Sequence, residues 1–315
     1  MKIVEANEVM QRLTMPVCIQ LMREALTALE TGKAVQPVRA ITKLPQGEAF
    51  GFMPAYLGSD DYFGAKVVNA MPQNVGTEYP SHNGYVMVFE SRHGQCVGLA
   101  DAGAITEIRT GAVSGVATDL LASTEARVLA LIGAGAQARS HLEAMLCVRP
   151  GISEVRVYDL RPEAAQRFKA EMEARFGRAI TVCASAQEAV RDADIICTLT
   201  PSREAWLEAD WIRPGAHINA VGTFSPVTRE VTSGLMAASA LYADQVEALK
   251  KESGEYLIPL KEGLITEDHV RGSIGQLLLK QIPGRTSEKE ITLFDALGLA
   301  VEDVICGRYL CCQEQ

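Results

Sequence analysis

A glycine-rich turn and three cations far apart in the chain carry the chemistry that residue types alone suggest. The turn is Gly133-Ala134-Gly135-Ala136-Gln137-Ala138, directly after the apolar run Val128–Ile132. Gly133 permits a tight turn, Gly135 lets a pyrophosphate approach the backbone, and Ala138 lets the next helix pack close to its sheet. The start of that helix, at Ala136 and Gln137, offers unpaired N–H groups and a positive dipole end to phosphates. The following strand ends in Val157-Tyr158-Asp159, which puts an acid 26 residues after Gly133. Asp159 can accept bonds from ribose hydroxyls and would repel a 2′-phosphate, whereas Arg161 could instead hold one. The expected cofactor is NAD or NADP, with the balance toward NAD.

Two more turns fall where strands of such a sheet end: Thr198-Leu199-Thr200-Pro201 and Val221-Gly222-Thr223-Phe224-Ser225-Pro226. The first is either a contact for the nicotinamide ribose or an ordinary proline-terminated strand. Hydride transfer also needs a device that fixes the substrate. For an amino or imino acid, a cationic clamp on the carboxylate serves. Arg39, Lys66 and Arg109 are the candidates, and each taken singly reads more readily as a solvated surface charge. Lys66 differs because it sits inside the apolar run Gly64-Ala65-Lys66-Val67-Val68, and a buried lysine needs a partner.

The elements that must position these residues form two textures. Before residue 120, short candidate strands (49–52, 64–68 and 85–89) lie among frequent Gly and Pro, after a helical stretch over 7–31. After it, strands expected at 128–132, 155–158, 181–183, 195–199, 217–221 and 240–243 alternate with helical stretches, including 136–148 and 162–176. That alternation indicates a doubly wound parallel sheet. The segment 292–308 has apolar spacing that reads as a single helix. The fold class expected is α/β: a Rossmann domain over 121–290 plus an α+β substrate-binding and dimerisation domain over 1–120 with 291–315.

Length and composition fit this division. The 315 residues suit two domains. The net charge of -9 offers no basic stripe for nucleic acid, and apolar runs such as Val128–Ile132 are too short to span a membrane. The first residues lack the apolar core of a signal peptide, so a cytoplasmic location is expected. Eight cysteines contain no CxxC pair, and no histidine lies at metal-ligand spacing from them. They read as buried or half-buried free thiols, with no metal site.

Several segments together resemble the ornithine cyclodeaminase/mu-crystallin family: Phe52-Met53-Pro54-Ala55-Tyr56-Leu57, Gly64–Val68, Ile108-Arg109-Thr110-Gly111-Ala112, the turn Gly133–Ala138, and the tail Thr292–Asp303. The resemblance covers nearly the whole chain in order. It implies a homodimer acting on a small imino or amino acid. Arg39, Lys66 and Arg109 would hold the substrate carboxylate, with Met53, Phe224 and Gly298 also at the substrate. Thr110 would begin the segment that reaches the cofactor phosphates. Thr198, Thr200, Val221, Gly222 and Asp295 would line the cofactor. Cyclodeaminases of the family typically carry a Gly-Asp-x-Pro-Gly-Lys-like run where this chain has Gly222-Thr223-Phe224-Ser225-Pro226-Val227-Thr228-Arg229-Glu230. Phe224 stands in place of the acid, and a phenyl ring cannot abstract a proton. The pattern is similar to the imine-reducing members instead. The activity expected is reduction of 1-pyrroline-2-carboxylate or 1-piperideine-2-carboxylate. Ornithine cyclodeamination, alanine-dehydrogenase-like chemistry and a non-catalytic binding protein of the mu-crystallin type are the alternatives. Whether Glu48 or Asp244 enters the site stays open.

Overall fold

The computed structural model describes every residue except 46, 59–61, 75–76, 80–81 and 313–315. The last three close the C-terminal segment, so that end of the expected range 291–315 lies outside the described residues. The chain forms two compact units. One holds Met1–Arg109 with Gly298–Gln315, and the other holds Thr110–Leu297.

In the first unit a six-stranded sheet runs in the order Lys2–Val4, Cys96–Asp101, His82–Glu90, Tyr62–Ala70, Ala49–Tyr56, Ala40–Lys43. Its first pair is parallel and the rest are antiparallel. Alternation along Ala49–Tyr56 buries Gly51, Met53 and Ala55 and exposes Phe50, Phe52 and Tyr56, as a strand covered on one face requires. The cover includes helix Ala300–Cys312, which approaches closely because Gly307 has no side chain. A Cβ there would come within 2.8 Å of Val86 Cγ1. The helical stretch expected over 7–31 is two helices, Ala6–Arg12 and Met15–Glu30. The break falls at Leu13-Thr14, where extended Thr14 precedes Pro16 in the first turn of the second helix, a position that suits proline.

In the second unit an eight-stranded, wholly parallel sheet runs in the order Val270–Ser273, Ser239–Ala243, Ile291–Asp295, His217–Ala220, Ile195–Thr198, Val128–Ile132, Glu154–Tyr158, Ile180–Val182. The strand order reverses between Val128–Ile132 and Ile195–Thr198, and ligands of such sheets bind at that reversal. Helices Ala136–Val148 and Pro162–Phe176 have the bounds read from sequence, the latter stopped by Gly177 in a left-handed conformation. The tail corrects the expectation of one helix over 292–308. Ile291–Asp295 is a buried strand paired on both edges, and only Ala300–Cys312 is helical. Apolar positions fully buried in a parallel strand show no alternation, so period alone did not separate strand from helix. Among the described residues, no helix is long and apolar enough to cross a membrane.

Candidate active site

The three candidate cations lie close together within the first unit. Lys66 lies mid-strand in Tyr62–Ala70, opposite Met53 in register, and only 5% of its surface is exposed. Its Nζ is 2.7 Å from Asp303 Oδ2 and 3.5 Å from Thr106 Oγ1. Arg109, 6% exposed, donates from Nε to Asp303 Oδ1 at 3.1 Å and from Nη1 to Glu302 Oε2 at 2.9 Å. Arg39 is half-buried and donates from Nη2 to the carbonyl of Gly298 at 3.0 Å. Gly298 adopts φ +77°, and a Cβ there would sit 2.6 Å from Arg109 Nη1. Arg39, Lys66, Met53, Arg109 and Gly298 are thus one neighbourhood. The alternative of solvated surface charges is overturned for Lys66 and Arg109.

Burial pulls the Lys66 ammonium below the ordinary lysine range. Asp303 pulls it back up, and the Arg109 and Arg39 cations lower it further. Glu302 and Asp303 were missed as functional residues, although they end the tail motif. The available signal was the buried lysine itself, which had to have an acid somewhere. Both acids are fully buried in the first turn of helix Ala300–Cys312, where the dipole favours negative charge. Glu302 Oε2 also accepts the Leu299 N–H, tying the acid to the turn that carries Gly298.

The second unit gathers the cofactor candidates at the carboxyl ends of its strands. Gly133 adopts φ +103°, and a Cβ there would press on the Leu199 carbonyl at 2.8 Å. Gly135 caps helix Ala136–Val148 with no side-chain bond, and a Cβ built on it meets open space. The helix start therefore presents bare N–H groups. Ala138 is fully buried, and Gly111 lets helix Ala102–Leu121 approach Ser140. Asp159 accepts the Ala134 N–H on Oδ2 and the Arg161 N–H on Oδ1, both at 2.9 Å, which locks the acid beside the turn. The Arg161 side chain is exposed, with Nε 3.5 Å from Asp159 Oδ1.

Thr198, Thr200 and Gly222 all bond one carboxylate, that of Glu230, which the sequence reading did not single out. Val221 donates its N–H to the Thr198 carbonyl. Asp295 is fully buried. Ser253 Oγ donates to its Oδ2, while Oδ1 has no hydrogen-bond partner. Burial raises this acid to about 7. Thr110 Oγ1 is likewise buried without a partner. A left-handed glycine, an open helix start, an acid locked at the second strand and two orphaned buried oxygens fit a dinucleotide. Phe224 stands on an exposed loop, 62% exposed. Asp244 is buried and accepts the Leu297 N–H, and Glu48 lies at the base of the hairpin between Ala40–Lys43 and Ala49–Tyr56. Seven cysteines are buried or half-buried, whereas Cys147 is exposed, against expectation, on helix Ala136–Val148.

Comparison with known proteins gives the same family over almost the entire chain. The ornithine cyclodeaminase/mu-crystallin family matches residues 1–311. A Delta(1)-pyrroline-2-carboxylate reductase of Bacillus cereus is 35% identical over 98% of this chain and 95% of its own. The ketimine reductase mu-crystallin of Mus musculus is 35% identical over 88% of this chain and 84% of its own. The structure of Thermococcus litoralis Delta(1)-pyrroline-2-carboxylate reductase in complex with NADH and L-proline superimposes with a TM-score of 0.95 at 35% identity, covering 98% and 96% of the two chains. The chain belongs to the ornithine cyclodeaminase/mu-crystallin family.

Proposed function

We propose that this chain is an NAD(P)H-dependent reductase of small cyclic ketimine carboxylates, converting 1-pyrroline-2-carboxylate or its six-membered homologue to proline or pipecolate. The observation that carries the reading is the gathering of half-buried Arg39 with buried Lys66 and Arg109. Glu302 and Asp303 hold Lys66 and Arg109 in place, and cations gathered in this way attract a small substrate carboxylate. Relatives that reduce pyrroline-2-carboxylate or ketimines, by name, support the same substrate class.

The first unit then binds substrate. Arginine grips a carboxylate on two oxygens, and Lys66 adds a point charge. A bound nicotinamide supplies the hydride. The second unit holds that cofactor through Thr110, the turn Gly133–Ala138, Asp159 and the strand ends at Thr198–Thr200 and Val221-Gly222, with Asp295 close by. An imine accepts hydride best as the iminium. Lys66 Nζ, whose hold on its proton burial weakens, is the acid that supplies the nitrogen proton. Positioning of the planar imine supplies most of the acceleration. Asp159 gives NADH the advantage over NADPH through repulsion of the 2′-phosphate. A reducing cytoplasmic setting suits the eight free thiols.

Nicotinamide absorbance tests this directly. Purified protein with NADH or NADPH and each imine should oxidise the nucleotide, with NADH preferred. Release of ammonia from ornithine without net change in absorbance would point to a cyclodeaminase. A requirement for free ammonium with a keto acid would point to an amino-acid dehydrogenase. No turnover of either imine sinks the proposal.

A further inference from the structure

Glu230 ends the run that begins at Gly222 but was given no role there, and it is fully buried against the carboxyl ends of two strands of the parallel sheet. Its carboxylate accepts four hydrogen bonds. Oε2 takes Thr198 Oγ1 at 2.7 Å and the Gly222 N–H at 2.9 Å. Oε1 takes the Thr200 N–H at 2.9 Å and Thr200 Oγ1 at 2.6 Å. An ionised carboxylate has about four acceptor positions, so the group is saturated. Those donors come from the ends of two adjacent strands, Ile195–Thr198 and His217–Ala220. Gly222 is interlocked with them. A Cβ there would fall 2.1 Å from the Thr200 carbonyl and 2.6 Å from Glu230 Oε2.

The bonding continues on both sides. Thr200 follows Leu199, whose carbonyl abuts Gly133 in the glycine turn. Behind Glu230, its own N–H donates to Glu255 Oε1 at 2.6 Å, and Val231 N–H donates to Glu255 Oε2 at 3.1 Å. Glu255 lies in helix Gly254–Lys261 and is itself buried. A chain of direct contacts therefore runs from Glu255 through Glu230 to the strand ends and the glycine turn, all inside the second unit.

We propose that Glu230 is a positioning residue for the dinucleotide: it fixes the Thr198–Thr200 and Gly222 backbone in the cofactor-binding geometry before the cofactor arrives, and Glu255 fixes Glu230. The inference rests on the dinucleotide part of the reading above and is independent of which imine is reduced. A neutral substitute cannot do the same work. The amide of Glu230→Gln turns an N–H toward backbone N–H or hydroxyl donors, so at least one strand end is released. Prior fixing of a binding surface matters because ordering it on binding would subtract from affinity.

Fluorescence titration with NADH reads the effect without turnover. Glu230→Gln should weaken NADH by about tenfold or more, and Glu255→Gln by a smaller factor, where tenfold corresponds to about 1.4 kcal/mol. In steady state the KM for NADH should rise in step while the KM for the imine stays within about twofold of wild type. Amide exchange on the unsubstituted protein adds a reading that needs no variant. The Thr200 and Gly222 N–H groups should already be protected without cofactor. Fast exchange at both, or a folded Glu230→Gln protein with wild-type NADH affinity, overturns the assignment. So does a rise in both KM values together. Failure of the unsubstituted protein to bind NADH at all would instead remove the dinucleotide reading.

Discussion

Lys66 Nζ lies 2.7 Å from Asp303 Oδ2, and the other oxygen of the same carboxylate accepts Arg109 Nε at 3.1 Å. One acid on the C-terminal helix thus sets the spacing of two clamp cations that arrive on a strand and a different helix. It also strengthens the hold of Lys66 on its proton, against burial and the neighbouring arginines, which weaken it. Asp303→Asn should lower kcat/KM for the imine by about a hundredfold, in the range expected when a buried ion pair loses one partner. The pH profile separates this from general damage. Without the carboxylate, Lys66 releases its proton at lower pH, so the alkaline limb of kcat/KM should move to lower pH. An unmoved limb in a folded Asp303→Asn protein would count against the role given to Lys66.

Gly298 borders the same cluster of cations. Its φ of +77° lies where a side chain costs about 1–2 kcal/mol. The larger effect is steric, since a methyl group there would meet an Arg109 guanidinium that Glu302 and Asp303 already hold. Gly298→Ala should therefore raise the KM for the imine by about tenfold, equivalent to about 1.4 kcal/mol. NADH affinity measured by fluorescence should change far less. Wild-type kinetics in this variant would show that the guanidinium is not fixed as described.

The legibility of these features follows from their range along the chain. The glycine turn, its strand and its helix are contiguous, so local spacing revealed them, and the bounds of Ala136–Val148 needed no correction. Lys66 announced itself as a charge in an apolar strand. Its partner did not, because Asp303 is 237 residues away and an acid in a helix normally reads as a solvated face. Glu230 and Glu255 were hidden for the same reason. Each looks like a loop or helix-surface acid until the strand ends close around it. Ile291–Asp295 was read as helix because Leu293, Leu297, Ala300 and Val304 fall at helical spacing across what is in fact a strand, a turn and a helix.

The uncovered face of the six-stranded sheet leads to a different expectation. Phe50, Phe52, Tyr56, Phe63 and Tyr85 are exposed there, and the registers Phe52–Val67–Tyr85 and Tyr56–Phe63 place them side by side. A contiguous aromatic surface of this kind is one that association with another surface would cover. We expect a homodimer joined through this face, with a light-scattering mass about twice the 34.0 kDa chain. Phe52→Lys should shift the protein toward the single-chain mass at micromolar concentration. A monomeric wild-type protein, or a Phe52→Lys protein that stays dimeric, would argue that this surface serves something else.

Stability should also depend on pH, with a sign set by buried acids near the strand ends. Burial raises Glu230 to about 7 against its four hydrogen bonds and Asp295 to about 7 despite Ser253. Burial raises Glu255 well above the ordinary range, with Asp295 and Glu230 adding repulsion. Acids whose native values exceed their unfolded ones bind more protons when folded, so stability falls as pH rises through the interval between the two values. His217 acts oppositely. Burial lowers it to about 3, so the native state resists protonation and loses stability as pH falls below about 6.5. The two effects oppose one another between about pH 4 and 6.5, and above about 6.5 the acids act without opposition from His217 until they have titrated. The melting temperature should therefore fall across that upper interval. Most of the effect of Glu230 falls below about pH 6.5, so above it this acid contributes under about 1 kcal/mol, with mutual repulsion preventing simple addition of the others. Asp295→Asn removes one titrating group and relieves Glu255, so its melting curve should be flatter from pH 6.5 to 8 than that of wild type. Calorimetry over this range checks the sign, and a wild-type melting temperature that stays level or rises toward pH 8 would count against the raised values of these acids.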